Sequence, residues 1–211
     1  MRTVISGFVI LFALTGCAMF GVTPVKDSTD RIEAYGFSIL PPPGKDWKRR
    51  PDVHMKGSDF VVLGKKGSSR THTIGITVGR HEGFDPAAIG FAEYAKNPDV
   101  FAAYVKNSVQ NSNPPEGRMR ILELSVVPDT KRGYCAKEYA KFEDHGSPFK
   151  PKILMQEDSG YVCLHPDSSR VLIEMISSER GLPGESDPSL TNVREQFFKS
   201  LQFRPLLISD Y

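Results

Sequence analysis

The stretch CAKEYAKFEDHGSPFKPKILMQEDSGYVCLHPD, residues 135–167, decides the fold of this 211-residue chain. Its cysteines, Cys135 and Cys163, are equidistant from Phe149. A hairpin turning about that residue sets them opposite each other, and His145-Gly146-Ser147-Pro148 supplies turn chemistry near its centre. Opposed residues of a non-hydrogen-bonded antiparallel pair bring side chains close enough for a bridge. Asp158-Ser159-Gly160 is a competing turn signal that would divide the second arm at Gly160 and break the register.

Outward from this hairpin, whose arms read as 133–143 and 152–165, alternation marks further strands near 118–127 and 170–178. Upstream, residues 35–40 alternate Phe37 and Ile39 and stop at Pro41-Pro42-Pro43-Gly44, with Trp47 packing just beyond. Residues 60–63 and 71–81 read as the second and third strands, the latter with Ile74, Ile76 and Val78 on one face. Asp85-Pro86 and Asn97-Pro98-Asp99 are helix starts, because Asp or Asn accepts from the free amides and Pro suits the first turn. From the second start, Phe101, Tyr104, Val105, Ser108 and Val109 form one stripe that stops before Pro114-Pro115. Residues 181–188 are rich in breakers. Leu190, Val193, Phe197 and Leu201 then mark a short helix, and Phe203 opens a final extended piece. Strands, helix, four strands, helix and terminal strand predict an α+β fold, a mainly antiparallel sheet packed by helices.

Arg2 is followed by an apolar run over residues 4–13, long enough for a signal-peptide core and too short to span a bilayer. The run ends in Leu14-Thr15-Gly16-Cys17, which resembles the lipobox of bacterial lipoproteins. The resemblance implies cleavage before Cys17 and acylation of that cysteine with fatty chains such as palmitate. Several chains make a durable anchor where one is marginal. Ala18, where an Asp would imply inner-membrane retention, favours the periplasmic face of the outer membrane in a cell with two membranes. The expected organisation is a signal peptide over residues 1–16, acylated cysteine and tether over 17–30, and one globular domain over 31–211. With Cys17 acylated, Cys135 and Cys163 are an even pair in an exported protein and read as a disulfide. Its closure contributes about 3.5 kcal/mol in the chain-entropy model.

Tyr35-Gly36-Phe37-Ser38-Ile39-Leu40-Pro41 with Trp47 resembles the opening segment of PsbP-like domains, and Phe197-Phe198-Lys199-Ser200-Leu201-Gln202-Phe203 resembles their closing helix and strand. The likeness covers the ends of the domain and implies a PsbP-like sandwich. That family serves in assembly and docking and generally lacks a shared active site.

The net charge is +2, and the mature chain keeps no long basic block, so nucleic acid is not an expected partner. No Gly-x-Ser-x-Gly, P-loop, Gly-x-Gly-x-x-Gly or His-Glu-x-x-His run occurs. No catalytic, cofactor or metal residue is therefore assigned. His72 shares parity with Ile74 and reads as a satisfied, half-buried histidine, and His81 has the other parity near a strand end. His54 falls in a polar loop, His145 in the turn and His165 at a strand exit. Cys163 and His165 share a face, but a disulfide removes any thiol nucleophile there. Residues 177–181 read as a solvated strand end, with Glu179 and Arg180 at its rim. Trp47, Lys48, Arg49 and Arg50 form a candidate interaction surface, the competing reading being an edge-packed indole with cations as its wet rim. The expected function is a non-enzymatic envelope interaction or assembly module with a protein partner. The alternatives are a module binding a small molecule, lipid or envelope polymer on the concave side of the sheet, and a cryptic hydrolase.

Overall fold

The computed structural model describes residues 22–25, 29–55, 58–82, 97–129, 131, 134–146 and 153–206. Cys17 and the Asp85-Pro86 helix start lie outside the described residues. The hairpin arms are β9 (Cys135–Asp144) and β10 (Leu154–His165), paired antiparallel without a register shift from Leu154↔Asp144 to Cys163↔Cys135. The Cys135–Cys163 disulfide closes their far end, with Cα atoms 4.0 Å apart.

Asp158-Ser159-Gly160 does not turn. It runs through the middle of β10, which pairs on its other side with β11 (Ser168–Gly181). A Cβ on Gly160 would collide with the Met175 carbonyl oxygen and lie 2.5 Å from Ile176 Cδ1. The glycine serves a close approach of the neighbouring strand, not a bend.

β8 (Met119–Asp129) pairs outside β9 and forms one edge of the sheet. Beyond β11 come β7 (Thr73–Glu82), β6 (Ser58–Lys66), β4 (Lys48–Arg49) and β1 (Thr23–Pro24), and β5 (Val53–Met55) also pairs with β6, giving nine strands. Every pairing in this sheet is antiparallel. β1 falls within the segment expected as a tether, where the Val25 amide donates to the Trp47 carbonyl at 2.9 Å. His54 sits in β5 opposite Asp59, not in a loop.

A second, three-stranded sheet joins β2 (Ile32–Ala34), β3 (Phe37–Ile39) and β12 (Gln202–Phe203). The strand expected over 35–40 begins only after a turn at Tyr35-Gly36, where Gly36 has φ +80°. β3 pairs with β12 in the register Phe37↔Phe203, so the two ends of the domain meet.

Two helices occur among the described residues. In α1 (Pro98–Ser112) the Asn97 side chain accepts the Asp99 amide and Pro98 occupies the first turn. The helix ends where the Asn113 side chain donates to the Val109 carbonyl, just before Pro114. α2 (Leu190–Lys199) buries Leu190, Phe197 and Phe198.

Strand alternation divides the apolar residues between the two faces of the large sheet. On one face Ile74, Ile76 and Val78 of β7 join Phe37, Trp47, Ile173 and Phe197 in a core closed by α2 and the small sheet. Each such side chain contributes about 1.5–3 kcal/mol when fully buried. On the other face Phe101, Ala102 and Val105 of α1 pack on Ala136, Val162 and Leu172. The result is a β-rich α+β arrangement. No helix among the described residues is long and apolar enough to cross a membrane.

Candidate functional site

α1 does not cover its face of the sheet completely. Between the helix and β8 to β11 lies a cavity of about 310 Å³. Its helix wall is the continuation of the Phe101 stripe, where Tyr104, Val105, Ser108 and Val109 face inward. Phe142, Val162, Leu172 and Ile176 make the sheet side apolar. Burial pushes the Tyr104 hydroxyl up.

Three carboxyl groups interrupt this apolar lining, one from each of three adjacent strands: Glu138 of β9, Asp158 of β10 and Glu174 of β11. The register explains their convergence. Glu138 stands opposite Gly160, which stands opposite Ile176, while Asp158 and Glu174 lie one same-face step to either side of that row. Glu138 is 5% exposed, and its Oε2 makes no hydrogen bond among the described residues. Burial, reinforced by Glu174 and Asp158, raises the Glu138 carboxyl to about 8. Burial also raises Asp158 to about 6, although the Gln156 amide donates to both of its oxygens at 3.0 and 3.1 Å. Glu174 Oε2 lies 3.2 Å from His81 Nε2. At neutral pH the Glu138 carboxyl therefore holds its proton beside a half-buried carboxylate, which places a hydrogen-bonding group without a protein partner inside an apolar chamber.

At the mouth, Arg118 is the single cationic side chain among the described lining residues. It is already engaged: Nε and Nη2 donate to the two oxygens of Asp144 at 2.6 and 2.9 Å. Asp144 is fully buried, and it also accepts the Gly146 amide at 2.8 Å and pairs with Arg180. Burial alone would raise the Asp144 carboxyl, but Arg118, the Gly146 amide and Arg180 outweigh it and hold it below the usual carboxylate range. The solvated rim expected for Glu179 and Arg180 is therefore corrected. Both are buried, on opposite faces of β11, because β7 and β10 flank them, with Arg180 paired to Thr73 on one side and Gln156 on the other, and each finds a charged partner.

Glu179 anchors a second polar cluster. His72, 1% exposed, donates from Nε2 to Glu179 Oε1 at 2.8 Å, and Ser68 Oγ lies 3.0 Å from His72 Nδ1. The order resembles a hydrolase triad. However, Nδ1 also accepts the Ser68 backbone amide at 3.0 Å, and Glu179 Oε1 accepts the Asp187 amide at 2.5 Å. These bonds make the imidazole a clip between the β6–β7 turn and the segment leading into α2. The lining of the cavity beside α1 includes neither His72 nor Ser68. His165, 2% exposed, donates from Nε2 to the carbonyls of Gly36 and Arg204 at 3.0 and 2.9 Å, pinning the small sheet to the large one.

The four residues read as a candidate interaction surface do not form one exposed patch. Trp47 is 2% exposed and donates from its indole to the Pro43 carbonyl, Arg49 is chelated by Asp52, and only Lys48 and Arg50 point fully outward. A further depression of about 460 Å³ is lined by Tyr35, His54 and Arg80, among others. There Arg80 stacks on Tyr35 at 4.3 Å and pairs with Asp59 and Glu82, so its charge is matched from within the protein. No group of three or more His, Cys, Asp or Glu side chains that could hold a metal ion occurs among the described residues.

The sequence pattern marked Asp158 only as part of a turn signal and gave Glu138 and Glu174 no role. The signal available was parity: Glu138 falls among Ala136, Ala140 and Phe142, and Glu174 between Leu172 and Ile176, a charged residue on the apolar face of each strand. No protein-family profile matches the chain, and comparison with curated proteins found no match.

Proposed function

We propose that this chain is a lipid-anchored envelope protein whose domain binds a small, mainly apolar ligand in the cavity between α1 and the sheet. One observation carries the reading: an apolar chamber of about 310 Å³ holds a buried carboxyl oxygen that no group among the described residues satisfies. A buried polar atom left unpaired costs about 1–3 kcal/mol, which a ligand donor or acceptor recovers. The volume falls at the lower end of small-molecule sites, about 300–1,000 Å³. The anchor at Cys17 and the outer-membrane location rest on the lipobox resemblance. The finer fold assignment, a PsbP-like sandwich, is supported by the pairing of Phe37 with Phe203, which joins the two motifs that suggested it.

A polarity-sensitive apolar dye tests the cavity. The full-length protein is expected to bind it saturably with one site, and Val109→Trp, which fills the chamber, is expected to abolish binding. Equal binding by that variant would remove the cavity as the site.

A second reading, docking of an envelope protein, is favoured by β8. This strand forms a sheet edge, and Leu122 and Val127 on it are 49% and 48% exposed. An open edge with apolar side chains can accept a partner strand. A photo-crosslinker at position 122 is expected to capture one defined partner in intact envelopes if this reading holds; only diffuse adducts would remove it.

A further inference from the structure

We propose that the ligand of this cavity carries a positively charged amine on an apolar body. The inference rests on the cavity being a ligand site and concerns what chemistry that site selects. Glu138, Asp158 and Glu174 turn toward one chamber from neighbouring strands, while Arg118, the only cation lining it among the described residues, is held bidentate by Asp144 at the mouth. His81 meets Glu174 from the side at 3.2 Å, so the floor keeps an excess of carboxyl groups over cations. Glu138 Oε2 is buried and unpartnered within that floor.

The three possible ligand charges have different consequences. An acid would bring a carboxylate against Asp158 and Glu174 in a medium that screens poorly, which like charges resist. A neutral alcohol could satisfy one oxygen and would leave the remaining carboxyl groups as they are. An ammonium group offers three donors and a charge opposite to the floor, and it satisfies Glu138 while pairing with the carboxylates beside it. Burial, with the neighbouring carboxyl groups behind it, raises Glu138 and Asp158 in the free protein, while Arg194, which does not line the cavity, offsets the rise at Asp158 only in part. The apolar helix wall of Val105 and Val109 suits a hydrocarbon or aryl body, so an inorganic cation or a fully polar polyamine would leave that wall unused.

The test compares three matched probes, phenylbutylamine, phenylbutanol and phenylbutyrate, by calorimetry on the full-length protein in lipid nanodiscs, with empty nanodiscs subtracted. The amine is expected to bind about tenfold or more tightly than the alcohol, as a charge-assisted contact requires, with the acid weakest. Glu138→Gln is expected to lose most of that preference while keeping the alcohol affinity. Asp158→Asn gives the same readout should Glu138→Gln fail to fold. Equal affinity for amine and alcohol, or preference for the acid, overturns the amine proposal and leaves the cavity reading standing. Failure of all three to bind overturns both.

Discussion

Glu138 and Ile176 face each other across Gly160, on three adjacent strands of one sheet face. The missing side chain at Gly160 lets the Ile176 side chain lie against β10, beside the carboxyl group that the cavity buries. A small residue, an apolar lid and an acid thus share one row of the sheet. The packing that forms the chamber wall is also the packing that deprives the acid of water.

This row makes stability depend on pH. The groups facing Glu138 are Asp158 from β10, Glu174 from β11 with His81 behind it, Tyr104 from α1, and Arg118 at the mouth. Glu138 is raised to about 8 in the folded protein from its ordinary 4.5. Between those values the folded state keeps a proton that the unfolded chain has lost. Stability therefore falls as pH rises through that window, by up to about 1.4 kcal/mol per pH unit. Urea unfolding across the window should show Glu138→Gln with a flatter profile and a higher midpoint than wild type at the alkaline end. Parallel profiles for the two proteins would contradict the assignment.

Gly160→Ala places a methyl group where the Met175 carbonyl and Ile176 already stand. It is expected to cost about 1–3 kcal/mol, as overpacking does, and more than Gly64→Ala on the same sheet, whose nearest contact is 3.5 Å. Thermal melts of the two variants make the comparison. A neutral Gly160→Ala would show that β10 and β11 can separate there without penalty.

His165→Ala removes the donor that Gly36 and Arg204 share. The Arg204 carbonyl loses this partner and the Gly36 carbonyl keeps only the Arg204 amide at 2.9 Å, for about 1–3 kcal/mol in total. Hydrogen exchange should show the loss at β3 and β12 first, with β9 and β10 amides unchanged. Uniform loss across both sheets would mean that the small sheet is not an independent opening unit.

The Cys135–Cys163 bridge ties the paired arms of β9 and β10 together at one end. Cys135→Ser, or reduction, is expected to lower stability by about 2–4 kcal/mol. A melting temperature unchanged by reductant, together with free thiols in the untreated protein, would contradict the bridge.

Cys17→Ser tests the anchor separately from the fold. Fatty-acid labelling should disappear and the precursor should accumulate, while the dye affinity of the domain stays as in wild type. Persistent labelling would place the acyl chains elsewhere.

Much of the strand order was legible because local pattern carries it. The equidistance of Cys135 and Cys163 from Phe149 predicted the register that β9 and β10 adopt, and alternation located β8, β11 and the apolar face of β7. Asn97-Pro98-Asp99 located the start of α1 because capping is a local event. Gly160 misled, since a glycine signals either a turn or a close approach, and only the neighbouring strand distinguishes them. Glu179 and Arg180 misled for a related reason: they do lie at the end of β11, but β7 and β10 flank that end and keep it dry.

By itself, then, the sequence determined the hairpin, the helix start and the α+β order, all of which follow from periodicity and short-range stereochemistry. Only the tertiary structure decided the burial of the charged residues and the existence of the cavity. Whether Glu138 is wet or dry depends on where α1 lies relative to β9, β10 and β11. That position is set by side chains far apart in the chain, packing Phe101 and Val105 onto Ala136, Val162 and Leu172. No local pattern around Glu138 encodes how much of the sheet the helix leaves uncovered.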